Sequence, residues 1–231
     1  LKSDIHPVEF YQNLWSGLQA NGFWRGEIWN RRKNGALCAE LMSISAVYDA
    51  HGALTHYVAI YTDISALKES QQQLEHLAYH DALTSLPNRV LLGDRIQQAL
   101  AHVQRREGWV AIGFLDLDDF KPINDSYGHQ NGDRLLIEVA QRLKESVRTA
   151  DTVARLGGDE FALLLTDLES PQEAHEILTR LLARVGQPYQ LENITAVISA
   201  SIGYTLVPGD DGDADSLLRH ADQAMYVAKQ E

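Results

Sequence analysis

Arg155-Leu-Gly-Gly-Asp-Glu-Phe161 lies between two strand-like apolar runs, Thr152-Val-Ala-Arg-Leu156 before it and Phe161-Ala-Leu-Leu-Leu-Thr166 after it. Two glycines between such runs predict a hairpin, because a tight reversal uses backbone angles that a Cβ disfavours. A turn does not require the adjacent carboxylates of Asp159 and Glu160. Neighbouring like charges repel unless a cation or hydrogen-bond donors compensate them. A solvated turn is the plain alternative, since Gly and Asp are common turn residues.

Outward from the hairpin, Trp109–Leu115 is an unbroken apolar run suited to a strand buried on both faces. It ends in Asp116-Leu-Asp-Asp-Phe-Lys-Pro122, and a polar segment from Asn124 to Gly132 follows. An amphipathic helix is expected over Asp133–Thr149, with Leu136, Val139, Ala140 and Leu143 inward. A strand–helix–strand crossover sets its two strands parallel in one sheet. On that reading strands 109–115 and 152–156 end on one sheet edge as parallel neighbours, and Asp116 meets Asp159 and Glu160. Converging carboxylates are costly unless they hold a hard cation, and Mg²⁺ with oxygen ligands and retained waters suits them. Exposed acids at loop ends are the alternative.

The backbone N–H groups around Asp119 to Lys121 open a helical turn and suit phosphate oxygens, with the Lys121 ammonium beside them. Asn124 and Asp133 supply an amide and a carboxylate, the functions that the carbonyl and amino edge of guanine calls for. Each has a plainer explanation, Asn124 as a turn residue and Asp133 as the N-cap of its helix. Further helices are expected from about Asn88 to Arg106, with Leu91, Ile96, Leu100 and Val103 inward, over Pro171–Val185 and over Ala214–Lys229. Ile194–Leu206 supplies strand material. The fold class is α/β (α+β), a mixed sheet flanked by helices.

The net charge of −12 over 231 residues argues against non-specific binding to nucleic acid or an anionic membrane. An acidic chain binds a polyanionic nucleotide only by recruiting cations locally. Cys38 is the single cysteine, which excludes an internal disulfide and a multi-cysteine metal site and suits a reducing compartment. No apolar run approaches the roughly 20 residues that span a bilayer. A cytoplasmic protein without membrane contact in this stretch is expected. The chain opens on Leu1 rather than Met, as a piece of a longer protein would.

Residues 1–65 hold Trp15, Trp24 and Trp29 of the four tryptophans. Pro7–Trp15 reads as a short helix with Phe10, Leu14 and Trp15 on one side. Strands are expected over Gly22–Asn30, Leu37–Tyr48 and Leu54–Thr62, an antiparallel meander joined by turns at Lys33-Asn-Gly35 and Asp49-Ala-His-Gly52. Gly26-Glu-Ile-Trp-Asn-Arg-Arg-Lys-Asn-Gly35 and the closing Thr62-Asp-Ile-Ser65 resemble the C-terminal part of a PAS sensory domain. Ile64, Leu67, Gln71, Leu74 and Ala78 then form a heptad-like seam. The expected organisation is a partial PAS domain over 1–65, a helical linker over 66–80 suited to pairing two copies, and a second domain over 81–231.

Phe114-Leu-Asp-Leu-Asp-Asp-Phe-Lys-Pro-Ile-Asn-Asp-Ser-Tyr-Gly-His-Gln-Asn-Gly-Asp133, together with Arg155–Phe161, is similar to the GGDEF-domain diguanylate cyclases. Asp81-Ala-Leu-Thr-Ser-Leu-Pro-Asn-Arg89 and Ala221-Asp-Gln-Ala-Met-Tyr-Val-Ala-Lys229 match that family's opening and closing motifs. The resemblance implies condensation of two GTP into cyclic di-GMP with release of two pyrophosphates. It also implies a palm-like sheet, Mg²⁺ or Mn²⁺ as cofactor, and a homodimer in which each domain holds one GTP. On the matching positions it implies metal binding by Asp116, the Leu117 carbonyl, Asp159 and Glu160, with Asp159 accepting the proton of the attacking 3′-hydroxyl. Lys121 would stabilise phosphate charge and Lys229 would hold the triphosphate. Gly157 and Gly158 would leave room for the nucleotide, and Asn124 and Asp133 would read guanine with His129 nearby. Arg148-Thr-Ala-Asp151 has the Arg-x-x-Asp form of the family's product-inhibition site for cyclic di-GMP. The plain reading there is an Arg meeting a helix C-terminus, followed by a turn Asp. The alternative function is a GTP-binding module without turnover that controls an adjacent phosphodiesterase domain.

Overall fold

The turn and apolar pattern of residues 8–63 folds as one helix laid on a three-stranded meander. The computed structural model describes Ser3 and residues 5–103, 108–191 and 194–229. It divides into two compact units, Leu1–Glu75 and His76–Glu231. In the first, α1 (Val8–Asn21) follows Pro7 and stops at Gly22, whose φ of 73° lets its N–H return to the Leu18 carbonyl. β1 (Phe23–Arg31), β2 (Leu37–Tyr48) and β3 (Leu54–Asp63) pair antiparallel in that order. Leu14 and Leu18, one helical turn apart, pack with Ile28, Met42 and Ile44. Trp15 falls outside the expected inward row; it is exposed, edge-on to Tyr57 at 5.7 Å. α2 (Ser65–Tyr79) opens with its Ser65 amide on the Asp63 carboxylate at 2.9 Å and buries none of its residues.

The second unit comprises α3 (Arg89–Val103), β4 (Trp109–Leu117), α4 (Phe120–Tyr127), α5 (His129–Ser146), β5 (Thr152–Gly157), β6 (Glu160–Leu168), α6 (Pro171–Val185), β7 (Tyr189–Leu191), β8 (Ile194–Ala196), β9 (Ala200–Val207) and α7 (Ala214–Ala228). The expected end of the Asn88–Arg106 helix falls partly outside the described residues. Its inward row is Leu92, Ile96 and Ala99 rather than one including Leu91. The main sheet has the order β5-β6-β4-β9 and every adjacent pair is antiparallel. β4 and β5 do run parallel to each other, but they are not neighbours. The hairpin return β6 inserts between them, because its central residues Phe161–Leu165 are wholly apolar and buried and occupy the middle of the sheet.

Strand alternation divides the core into two layers. Leu115, Leu117, Phe161, Leu163 and Leu165 face α5 and α6. Val110, Ile112, Ala162 and Leu164 face α3 and the start of α7, and Phe114 meets Ala221 and Met225 further along α7. Among the described residues no helix is long and apolar enough to cross a membrane.

Candidate active site

Register in the sheet sets Asp116 of β4 directly opposite Glu160 of β6. The apolar rows Ile112–Phe114 and Leu164–Ala162 thus each end in a carboxylate, on the face covered by α7. Directly opposed like charges in an antiparallel pair are destabilising. The Glu160 carboxyl is accordingly pushed above its ordinary range, by burial first and then by the charges of Asp116, Asp222 and Asp159. Asp159 is raised as well, by burial and then by Asp116, against the pull of Lys229 and Arg155. From the end of α7 the Lys229 ammonium bonds Asp116. Burial disfavours that ammonium, yet the bond to Asp116 and the charges of Asp118 and Asp159 leave its pKa raised.

Between β5 and β6 the ladder closes with Gly157 opposite Glu160, so Gly158 and Asp159 form the tip. Gly157 at φ 147° and Gly158 at φ 53° occupy backbone regions that side chains disfavour. Two ties hold the tip. The Leu117 N–H donates to the Asp159 carbonyl at 3.3 Å. Arg155 donates to the Gly158 carbonyl from Nε at 3.0 Å and Nη2 at 2.7 Å, while its Nη1 pairs with Asp81 at 2.9 Å. Burial acts to raise the Asp81 carboxyl, but hydrogen bonds from Thr84 and Arg155 bring it below its ordinary value. Arg155 and Asp81 thus support the tip from behind. They are 74 residues apart and share no local pattern, so their pairing is not legible in the sequence.

α4 begins at Phe120 after Asp119, which sits at φ 55° and makes no side-chain cap. The first-turn amides are therefore not taken by a capping side chain, and Lys121 is exposed beside them. Asn124 is helical rather than a turn residue, and its side chain lies where a Cβ on Gly132 would stand. That contact brings the Asn124 amide beside α5 one residue before Asp133. α5 starts four residues earlier than expected, at His129, so Asp133 is inside the helix and is not its N-cap. His129 is exposed one turn before Asp133.

Arg148 and Asp151 stand at the opposite end of β5 from the tip. Asp151 is buried, its carboxylate accepting the Arg148 N–H at 2.9 Å and the Thr166 N–H at 3.0 Å. The Arg148 guanidinium pairs with Glu173 at 2.8 Å. Both residues line a cavity of about 380 Å³ with His80, Arg95 and Lys144.

Asp116 and Glu160, cross-strand partners, set hard oxygen donors at a locus of excess negative charge, with Lys229 paired to Asp116. That donor chemistry fits Mg²⁺ or Mn²⁺. Among the described residues no three His, Cys, Asp or Glu side chains come together as a metal-enclosing group. Asp118, which belongs to no role expected from the sequence, accepts hydrogen bonds from Ser199 and Ser201 at 2.7 and 2.8 Å.

A family model described as "Diguanylate cyclase, GGDEF domain" matches residues 78–231. The chain is similar to the bifunctional diguanylate cyclase/cyclic di-GMP phosphodiesterase MucR of Pseudomonas aeruginosa, 48% identical over 165 residues, covering 71% of this chain and 24% of MucR. It is also similar to the cyclic di-GMP phosphodiesterase NbdA of the same species, 33% identical over 216 residues, covering 94% of this chain and 25% of NbdA. It thus spans about a quarter of the length of each. Among solved structures, the GGDEF domain of TpbB from Pseudomonas aeruginosa superposes with a TM-score of 0.63 at 42% identity, covering 65% of this chain and 88% of that one.

Proposed function

The chain belongs to the GGDEF-domain family of diguanylate cyclases, and from that premise we propose that it condenses two GTP into cyclic di-GMP, releasing two pyrophosphates. The observation that carries this reading is Asp116 facing Glu160 beside Asp159, with the Asp159 and Glu160 carboxyls both raised. Such a group has negative charge to spare for a divalent cation. Asp116, Glu160 and the Leu117 carbonyl would hold Mg²⁺ or Mn²⁺, with Asp159 brought in from the hairpin tip as the ion binds; the ion would neutralise phosphate charge and activate the phosphoryl group.

The raised Asp159 carboxylate is the base that accepts the 3′-hydroxyl proton as that oxygen attacks the α-phosphorus of the partner copy's GTP and pyrophosphate departs. The open amides of α4, with Lys121, receive phosphate oxygens, and Lys229 supplies a cation to the triphosphate. Asn124 and Asp133 hydrogen-bond the guanine edge, with His129 at its border. Each copy contributes one GTP, so two copies must meet, and the exposed seam of α2 is the element suited to pair them. The N-terminal unit, with the PAS-like motifs, would set that encounter. Cyclic di-GMP would inhibit by docking its phosphates on the Arg148 cavity, where Arg95 and Lys144 add charge.

Incubation of the purified chain with GTP and Mg²⁺, with cyclic di-GMP and pyrophosphate quantified, tests the reading. Asp159→Ala is expected to lower turnover by about a thousandfold or more while GTP still binds. Absence of product from folded, GTP-bound dimers would overturn catalysis. That outcome would leave the second reading, a GTP-binding module controlling a phosphodiesterase domain, which the likeness to NbdA favours.

A further inference from the structure

Asp118 follows Asp116 by two residues, so alternation carries it to the same face of the sheet, where its charge reaches Lys229. β9 and the residue just before it tie it down at three points. Ser199 Oγ donates to Oδ2 at 2.7 Å, Ser201 Oγ donates to Oδ1 at 2.8 Å, and the Asp118 N–H donates to the Ser199 carbonyl at 2.9 Å. Ser201 is also the register partner of Asp116, and Ser199 lies two residues before it, so both hydroxyls are aimed from one row. Each carboxylate oxygen therefore has its own donor.

Immediately afterwards the chain turns through Asp119 at φ 55° into α4. An Asp at the entry of a helix ordinarily turns its carboxylate onto the first-turn amides. Here Asp119 holds the N-cap position, at a left-handed φ and without a side-chain cap bond, and Asp118 is the residue just before it. We infer that Ser199 and Ser201 hold the Asp118 carboxylate away from the α4 amides, so that those donors stay available to the phosphates of GTP. Asp118 is a positioning residue for the turn that joins Leu117 at the end of β4 to the first turn of α4. Released from its serines it becomes a competitor for the phosphate site. The inference rests on GTP being the ligand, but it is read by binding and not by turnover.

The experiment measures GTP binding by calorimetry with Mg²⁺ for the parent, S199A/S201A, S199T/S201T and S199A/S201A/D118N, with thermal melts as the folding control. Freeing the carboxylate in S199A/S201A is expected to weaken binding about tenfold, on the scale of one lost phosphate contact. Neutralising it in the triple variant is expected to restore affinity to within about threefold of the parent, a reversal that a merely structural clamp does not produce. S199T/S201T, which keeps both hydroxyls, should bind as the parent does. Parent-like binding by S199A/S201A, or a triple variant as weak as the double, would overturn the inference. Should the double variant fail to fold, S199A is compared with S199A/D118N, and parent-like binding by the first or equal weakness in the second overturns it in the same way. A folded parent that binds no GTP would sink this inference together with the proposed function. Binding without turnover would sink catalysis alone, and the variant series then decides the inference unchanged.

Discussion

Arg155 takes two jobs at once, donating a fork of bonds to the Gly158 carbonyl and pairing with Asp81. Its side chain is only 10% exposed, so removing it leaves the Asp81 carboxylate without its partner in a partly closed site. Arg155→Ala is expected to destabilise the second unit by about 3 kcal/mol, the scale for breaking a buried pair. Arg155→Lys keeps a charge for Asp81 but lacks the planar fork. It should keep most of the stability yet lose about tenfold or more in turnover, because the tip is no longer oriented. Denaturant melts beside product assays check both, and parallel losses in the two variants would refute the separation. The raised carboxyls of Asp159 and Glu160 set a pH dependence. Groups raised above their unfolded values hold protons longer in the native state. Their contribution to stability therefore falls as pH rises from the ordinary carboxylate range, about 4, through the raised native values. With chelator present, the parent should lose melting temperature relative to Asp159→Asn as pH is raised above about 4. Superimposable curves would show that the charges at the tip do not strain the fold.

At the level of elements, α4 and α5 show what local pattern reveals and what it hides. The apolar row of α5 is legible, since Leu136, Val139, Ala140 and Leu143 recur at helical spacing and all are buried. Its start is not, because Gly128 to Gly132 carries two glycines and no apolar period, and the turn there is closed by the Asn131 and Gly132 N–H groups on the Gly128 carbonyl, with the Asn124 side chain against Gly132. The sheet edge is reached by a different route from the one the crossover suggests. Asp116 and the tip do share an edge, but through the antiparallel insertion of β6, which is a tertiary choice between equally apolar strands. Asp118 with Ser199, and Arg155 with Asp81, are 81 and 74 residues apart, and no local spacing announces either pair. The Asn124–Gly132 contact yields a prediction in which propensity and function oppose each other. Gly132→Ala adds helix propensity worth roughly 1 kcal/mol, yet its methyl group takes the place of the Asn124 side chain. The protein should melt no lower than the parent by more than a few degrees while guanine recognition fails, seen as a KM for GTP raised about tenfold or more with discrimination against ATP reduced. An unchanged KM would remove Asn124 from the guanine site. For α2, which buries nothing and exposes Leu67, Leu74 and Leu77, Leu74→Asp should weaken dimers in sedimentation; an unaltered profile counts against the seam.

Across the whole molecule, each unit carries its own core. Leu14, Leu18, Ile28, Met42 and Ile44 serve the first, and two layers on either side of the β5-β6-β4-β9 sheet serve the second. The first is thin, one helix on three strands with every residue of β3 exposed. Small cores of this kind supply only a few kcal/mol. Leu18 is fully buried, and Leu18→Ala removes about 2–5 kcal/mol by transfer and cavity terms together. That loss is comparable with the whole stability of the first unit, so it should melt while the second unit remains folded. The chain provides a natural reporter, because Trp15, Trp24 and Trp29 lie in the first unit and Trp109 in the second. In Leu18→Ala, tryptophan emission should shift red at little or no urea, whereas the main far-UV helical signal should persist to the parent's midpoint. GTP affinity, seated on the second unit, should be unchanged, while turnover falls if the first unit and α2 govern the meeting of two sites. Coincident emission and far-UV transitions, or GTP affinity lost together with the emission shift, would show that the two units fold as one.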